Sequence, residues 1–99
     1  MVKHIVLWKI HKGGSREERE KTLKQFCSKT EYLKTVIPEI IEARVALSCN
    51  DDSDFHLCID SVFESDEALR AYIENPEHLK VREWLGTVSY DKTVFDYEF

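Results

Sequence analysis

The nine residues at positions 2–10, Val-Lys-His-Ile-Val-Leu-Trp-Lys-Ile, constrain the fold of this chain more than any other stretch. They are rich in β-branched and aromatic side chains and read as a strand. Alternate side chains of a strand point to opposite faces, so His4, Val6 and Trp8 share one face while Ile5 and Leu7 take the other. Neither face is polar. The same holds for FHLCIDSVF (55–63), where Leu57, Ile59 and Phe63 oppose Cys58 and Val62, and for KTVFDYEF (92–99), where Phe95, Tyr97 and Phe99 oppose Val94. An antiparallel sheet with helices on one side normally keeps its other side polar. This sheet needs two covers, and a second copy of the chain is the simplest source of the second. A homodimer through the outer sheet face, with the two sheets enclosing a barrel-like core, is therefore expected.

The remaining elements follow from local signals. HKGG (11–14) breaks the first strand, and Ser15 with Glu18 forms a capping box that opens a helix. Leu23, Phe26, Cys27, Thr30, Leu33 and Ile37 recur at helical spacing, and Pro38 ends the run because the residue before a proline disfavours helical geometry. EIIEARVALS (39–48) and residues 55–63 read as strands joined by the polar loop CNDDSD. Ser65 caps a second helix. Asn75-Pro76 breaks it and starts a third, since Asn suits the N-cap and Pro the first helical position; Gly86 ends that one. The order is β-α-β-β-α-β with the second helical region split in two, which is the α+β, ferredoxin-like pattern of a four-stranded antiparallel sheet with helices on one face.

Ninety-nine residues make one domain, residues 1–99. A chain of this size gains from dimerisation. Apolar residues at 42% and charged residues at 33% describe a globular rather than a disordered chain. The net charge of −5, with scattered Lys and Arg, provides no basic stripe for a nucleic-acid backbone, so no nucleic-acid partner is expected. The opening segment is interrupted by Lys3, His4 and Lys9 and reads as neither signal peptide nor membrane span. Cys27, Cys49 and Cys58 form no CxxC pair, which suits reduced thiols in the cytoplasm. Asn50, Asp52 and Asp54 alternate like the start of a calcium loop. Counted from Asn50, however, Phe55 stands where Gly belongs and Ser61 where Glu belongs, so a solvated turn is expected. The four histidines share no metal-ligand spacing, and neither a metal nor a cofactor is expected.

MVKHIVLWKI at the start, FESDEALRAYIENPEHLKV in the middle and VFDYEF at the end together resemble the stress-responsive α/β-barrel (Dabb) domain family over nearly the whole chain. The resemblance implies a dimeric ferredoxin-like α/β barrel, in agreement with the strand-face argument. It also brings in the family's plant polyketide-cyclase branch, which includes olivetolic acid cyclase and in which a tyrosine and a histidine carry acid–base work. The matching positions here are Tyr72 and His78, with His4 matching the histidine of the first strand. Asn75 stands where the cyclase has histidine, Trp8 replaces a smaller aliphatic, and Arg82 replaces glycine, so this chain departs from the cyclase around the expected pocket.

On the third helix His78 shares a face with Val81 and Leu85, and on the second Tyr72 lies with Leu69 and Ile73. The Asn-Pro turn between them brings phenol and imidazole toward one cavity, with His4 approaching from the sheet. Val6, Trp8, Phe26, Ile59 and Val81 are expected to wall that cavity, although Trp8 and Phe26, like Trp84, read first as core. In the first turn of its helix and buried, His78 should be a neutral imidazole near pH 7. It is then available as a general base beside a tyrosine able to polarise a carbonyl. Two readings stay open: a small apolar or carbonyl-containing ligand handled by acid–base chemistry of cyclase or isomerase type, or a non-catalytic structural or ligand-binding dimer whose histidines and tyrosine are internal hydrogen-bond partners. A cavity approaching ~300 Å³ separates them, because that is the lower bound for small-molecule sites.

Overall fold

β1 (Val2–Ile10) runs through the sheet between β3 (Leu57–Phe63) and β4 (Ser89–Glu98), and β2 (Glu42–Leu47) pairs with the far side of β3, giving the order β2-β3-β1-β4 with every pairing antiparallel. Three helices, α1 (Arg16–Val36), α2 (Asp66–Glu74) and α3 (Pro76–Gly86), complete the ferredoxin-like arrangement in this computed structural model, which describes residues 1–99.

The alternation of β1 does what its composition dictates. Val2, His4, Val6, Trp8 and Ile10 are all buried beneath the helices, while Ile5 and Leu7 are only half-buried on the other face. Across the register Ile5 pairs with Phe95 and Lys3 with Tyr97, so the aromatic residues of β4 belong to that same outer face. Phe95 is 62% exposed and Phe99 64%. Three rings in succession, Phe95, Tyr97 and Phe99, stack along the strand at 5.8 and 6.0 Å between centroids.

Local chemistry sets the helix boundaries. The Glu18 amide donates to Ser15 Oγ at 3.2 Å, and the Ser15 amide donates to Glu18 Oε1 at 3.2 Å, so the capping box is closed in both directions. The approach to it demands glycine. Gly13 has φ +73°, and a Cβ on Gly14 would lie 2.8 Å from the His11 carbonyl oxygen. Asn75 does double duty, since its amide donates to the Tyr72 carbonyl at the end of α2 and its Oδ1 accepts from the Glu77 amide at 2.9 Å to open α3.

Four elements differ in extent from the sequence reading. α1 ends at Val36, and Ile37, fully buried, is its C-cap rather than a helical residue. The buried stripe of α1 is Thr22, Phe26, Thr30 and Leu33, with Leu23 and Cys27 only half-buried, because the helix meets the sheet a little rotated from its most apolar line. β2 spans 42–47 and β3 starts at Leu57, since Ile40 and Ile41 turn into the sheet and Phe55 and His56 finish the loop. β4 begins at Ser89 rather than Lys92: Tyr90 and Ser89 pair with Lys9 and Ile10 beyond a register shift between Leu7 and Lys9. Of the three cysteines, Cys49 is exposed, and Cys27 and Cys58 are half-buried; all are free.

Two groups of buried side chains hold the helices on the sheet. One gathers Val6, Trp8, Ile10, Phe26, Ala43, Leu57, Ile59 and Leu85; the other gathers Val2, Leu33, Ile37, Phe63, Leu69 and Tyr72. The Trp8 and Phe26 rings meet edge to face at 5.6 Å, and the Lys29 ammonium lies 4.9 Å from the Trp84 ring centroid, tying α1 to α3. No helix is long and apolar enough to cross a membrane.

Candidate functional site

The two core groups do not fill all the space between sheet and helices. A cavity of about 360 Å³ remains, and His4, Val6, Trp8, Phe26, Ile59, Tyr72, His78 and Val81 all line it. Every residue singled out for the site in the sequence therefore reaches the same space. The volume exceeds the lower bound for small-molecule sites. Trp8 and Phe26 are core and wall at once, whereas Trp84 packs against the core without lining the cavity. Arg82 stands at the wall and leaves the cavity open.

Tyr72 occupies the centre of the polar group. Its ring centroid lies 4.3 Å from that of His78, 4.9 Å from Phe63 and 6.3 Å from His4. The last turn of α2 supplies the phenol, Asn75 turns the chain, and His78 sits at the third position of α3, so one cap residue sets the spacing of the pair. Burial pushes the Tyr72 hydroxyl up to about 12, which keeps it a protonated donor throughout the neutral range.

His78 is held by its own backbone neighbourhood. Its Nδ1 lies 3.0 Å from the Ile73 carbonyl oxygen, and a carbonyl only accepts, so Nδ1 carries the proton and Nε2 holds a free lone pair. Burial lowers its pKa from the ordinary histidine value. The Ile73 carbonyl partly opposes that shift, and the charges of Arg82, Lys92 and His4 add to it. The neutral imidazole expected from the sequence is thus favoured chiefly by burial.

His4 rises from the sheet floor, 7% exposed, with Nδ1 2.5 Å from Asp96 Oδ1. The carboxylate accepts from Nδ1–H and orients the ring, leaving Nε2 free of partners within the chain. Beneath it the buried Ser61 hydroxyl donates to the His4 carbonyl at 2.9 Å. Asp96 was not anticipated. Its signal was legible in principle: within VFDYEF it occupies the inward parity, opposite Phe95 and Tyr97, and a carboxylate on an apolar face calls for a partner. Ser89, Tyr90 and Asp91, which also line the cavity, were missed because β4 starts earlier than its composition suggests, and Lys92, inside the expected strand, was not singled out.

No group of three His, Cys, Asp or Glu side chains is arranged to hold a metal ion. The 48–54 loop is a local turn, with the Asp52 amide donating to Asn50 Oδ1 at 2.9 Å and the Ser48 hydroxyl donating to the Asn50 carbonyl at 3.0 Å. The remaining histidines serve the frame. His56 Nδ1 accepts from the Ile10 amide at 2.9 Å, and His11 Nε2 lies 2.5 Å from the Thr22 hydroxyl.

The chain is similar to several solved structures over essentially its whole length. A dimeric protein of ferredoxin-like fold and unknown function from Bacteroides fragilis shares 28% identity at a TM-score of 0.89, covering 99% of this chain and 95% of that one. A protein from Arabidopsis thaliana shares 24% identity at a TM-score of 0.78, covering 100% and 95%. A hydroxynitrile lyase from Passiflora edulis shares 21% identity at a TM-score of 0.78, covering 97% and 90%. No curated protein matches the chain. The model of the stress-responsive A/B barrel domain matches residues 2–99, and this chain belongs to that family.

Proposed function

We propose that the cavity binds a small carbonyl compound and that His78 and Tyr72 perform acid–base chemistry on it without a cofactor. The observation that carries this reading is the Tyr72–His78 pair, 4.3 Å apart in the wall of a largely apolar 360 Å³ cavity, with the His78 Nε2 lone pair left free by the Nδ1–Ile73 hydrogen bond. In the proposed step Nε2 removes a proton from the carbon next to the carbonyl. The electron pair moves to the carbonyl oxygen, and the Tyr72 hydroxyl donates a hydrogen bond to the enolate so formed. His78, now imidazolium, returns the proton either to a different carbon, which is isomerisation, or to the alkoxide produced when the enolate attacks a second carbonyl of the same molecule, which is aldol-type cyclisation. His4, oriented by Asp96, supplies a second imidazole on the opposite wall to bind a further oxygen of the ligand. The resemblance to the polyketide-cyclase branch supports this reading, and a neighbour of the same fold is a hydroxynitrile lyase.

The unit that carries the cavity is, in this reading, a homodimer. The relatives include dimeric proteins, and the outer face bearing Ile5, Leu7, Phe95 and Tyr97 is the surface a partner would cover.

Binding is tested by titrating small aliphatic and aromatic ketones while following the His78 and Tyr72 ring resonances. The reading expects both to shift with one saturation curve, and expects Val81→Trp, which fills the cavity, to abolish the response. Ketones that leave both rings unmoved would refute it.

A further inference from the structure

The cavity is lined by two cations that have no ion-pair partner in the chain. Arg82 on α3 and Lys92 on β4 both line it, and neither forms an ion pair within the chain. Of the acids that line the same cavity, Asp91 pairs with Lys9 at 3.3 Å and Asp96 hydrogen-bonds His4 at 2.5 Å, and neither forms an ion pair with Arg82 or Lys92. Two like charges sharing one rim, in a chain whose net charge is −5, run against the trend of the molecule. Each also bears on its surroundings. Partial burial and then the Arg82 charge lower the Lys92 pKa, and both cations act on His78. An anion bound between them would relieve their repulsion.

Resting on the proposed carbonyl-binding role of the cavity, we infer that its ligand is a carboxylic acid whose carboxylate sits between Arg82 and Lys92 at the mouth while its carbonyl-bearing apolar body lies inside against Tyr72 and His78. The polarity of the walls divides accordingly. Val6, Trp8, Phe26 and Val81 give the cavity apolar lining, and Ser89 and Tyr90 line it together with the two cations. A planar guanidinium grips a carboxylate through paired hydrogen bonds, and the lysine adds a compact charge. Because both cations are exposed, the expected gain is moderate and weakens with salt.

The test compares keto acids of four to ten carbons, alkyl and aryl, with their primary amides, which keep the shape and lose the charge. Calorimetry gives the affinity, and the His78 ring resonance reports whether the compound sits in the cavity. Wild-type protein is expected to bind an acid about tenfold more tightly than its amide at low salt, a difference of about 1.4 kcal/mol. Arg82→Gln combined with Lys92→Gln should erase the preference, so that an acid and its amide bind with the same affinity. Equal affinities in the wild type, or a preference that survives the double substitution, would overturn the carboxylate assignment while His78 shifts still uphold the cavity reading. Acids and amides that both leave His78 unmoved would overturn the two together.

Discussion

The imidazole of His4 and the carboxylate of Asp96, ninety-two residues apart in the chain, meet at 2.5 Å across the β1–β4 ladder, where the two residues are register partners. One is almost fully buried and the other reaches the cavity wall from an edge strand. The pair fixes which nitrogen of His4 carries the proton, and so which one is offered to a ligand.

Asp96→Ala removes that acceptor. Thermal unfolding should show a loss of about 1 kcal/mol, the usual cost of leaving one partly buried donor to water. Nitrogen shifts of the His4 ring should change from a single Nδ1–H tautomer to a mixture of both. A His4 ring that keeps one tautomer in the variant would show that Asp96 does not orient it.

Acid should act on this protein through His78 and His56, both lowered in pKa, each first by burial. A histidine whose folded pKa is below its unfolded value of 6.5 binds fewer protons folded than unfolded between those two values. Stability from these groups is therefore complete above pH 6.5 and is lost as pH falls below it. Melting temperature should be flat from pH 8 to 7 and decline toward pH 5. His56→Gln should shrink the decline; a slope unchanged in that variant would exclude His56 as a contributor.

Asn75 ends α2, opens α3 and spaces the Tyr72–His78 pair. Asn75→Ala deletes the cap on the Glu77 amide and should cost about 1 kcal/mol in denaturant unfolding. Asn75→Asp preserves an acceptor there and should stay within about 0.5 kcal/mol of wild type. Equal losses for both would mean that the side-chain cap contributes nothing.

On the outer face, Leu7→Glu puts a carboxylate among Ile5, Phe95 and Tyr97. Sedimentation should find a dimer for the wild type and a monomer for the variant. A wild-type monomer at high concentration, or a variant dimer, would contradict the face assignment.

How much of this was written in the sequence depends on whether the signal is local. The capping box at Ser15, the Asn-Pro hinge and the alternation of β1 are decided by neighbours in the chain, and each appears in the structure where the residues place it. Tyr72 and His78 could be brought together on paper because only six positions and one turn separate them. The start of β4 could not, since it depends on a register shift between Leu7 and Lys9 that no local pattern encodes, whereas the inward parity of Asp96 was legible and only its partner, His4, had to come from the β1–β4 register. Thr30 was read onto the buried stripe of α1, but Thr22 was not. Thr22 lies one turn before Phe26 on that stripe, and its hydroxyl meets the His11 ring at 2.5 Å, a partner supplied by the turn before the helix.

The most direct measurement is solvent exchange at carbon. Cavity-sized ketones and keto acids are incubated with the protein in deuterium oxide, and the loss of proton signal next to the carbonyl is followed by nuclear magnetic resonance. Proton abstraction by His78 predicts exchange at least ~100-fold faster with wild type than with His78→Ala, the usual scale of general-base catalysis, and an intermediate rate with Tyr72→Phe. Exchange no faster with wild type than with folded His78→Ala, across the whole compound series, would contradict it.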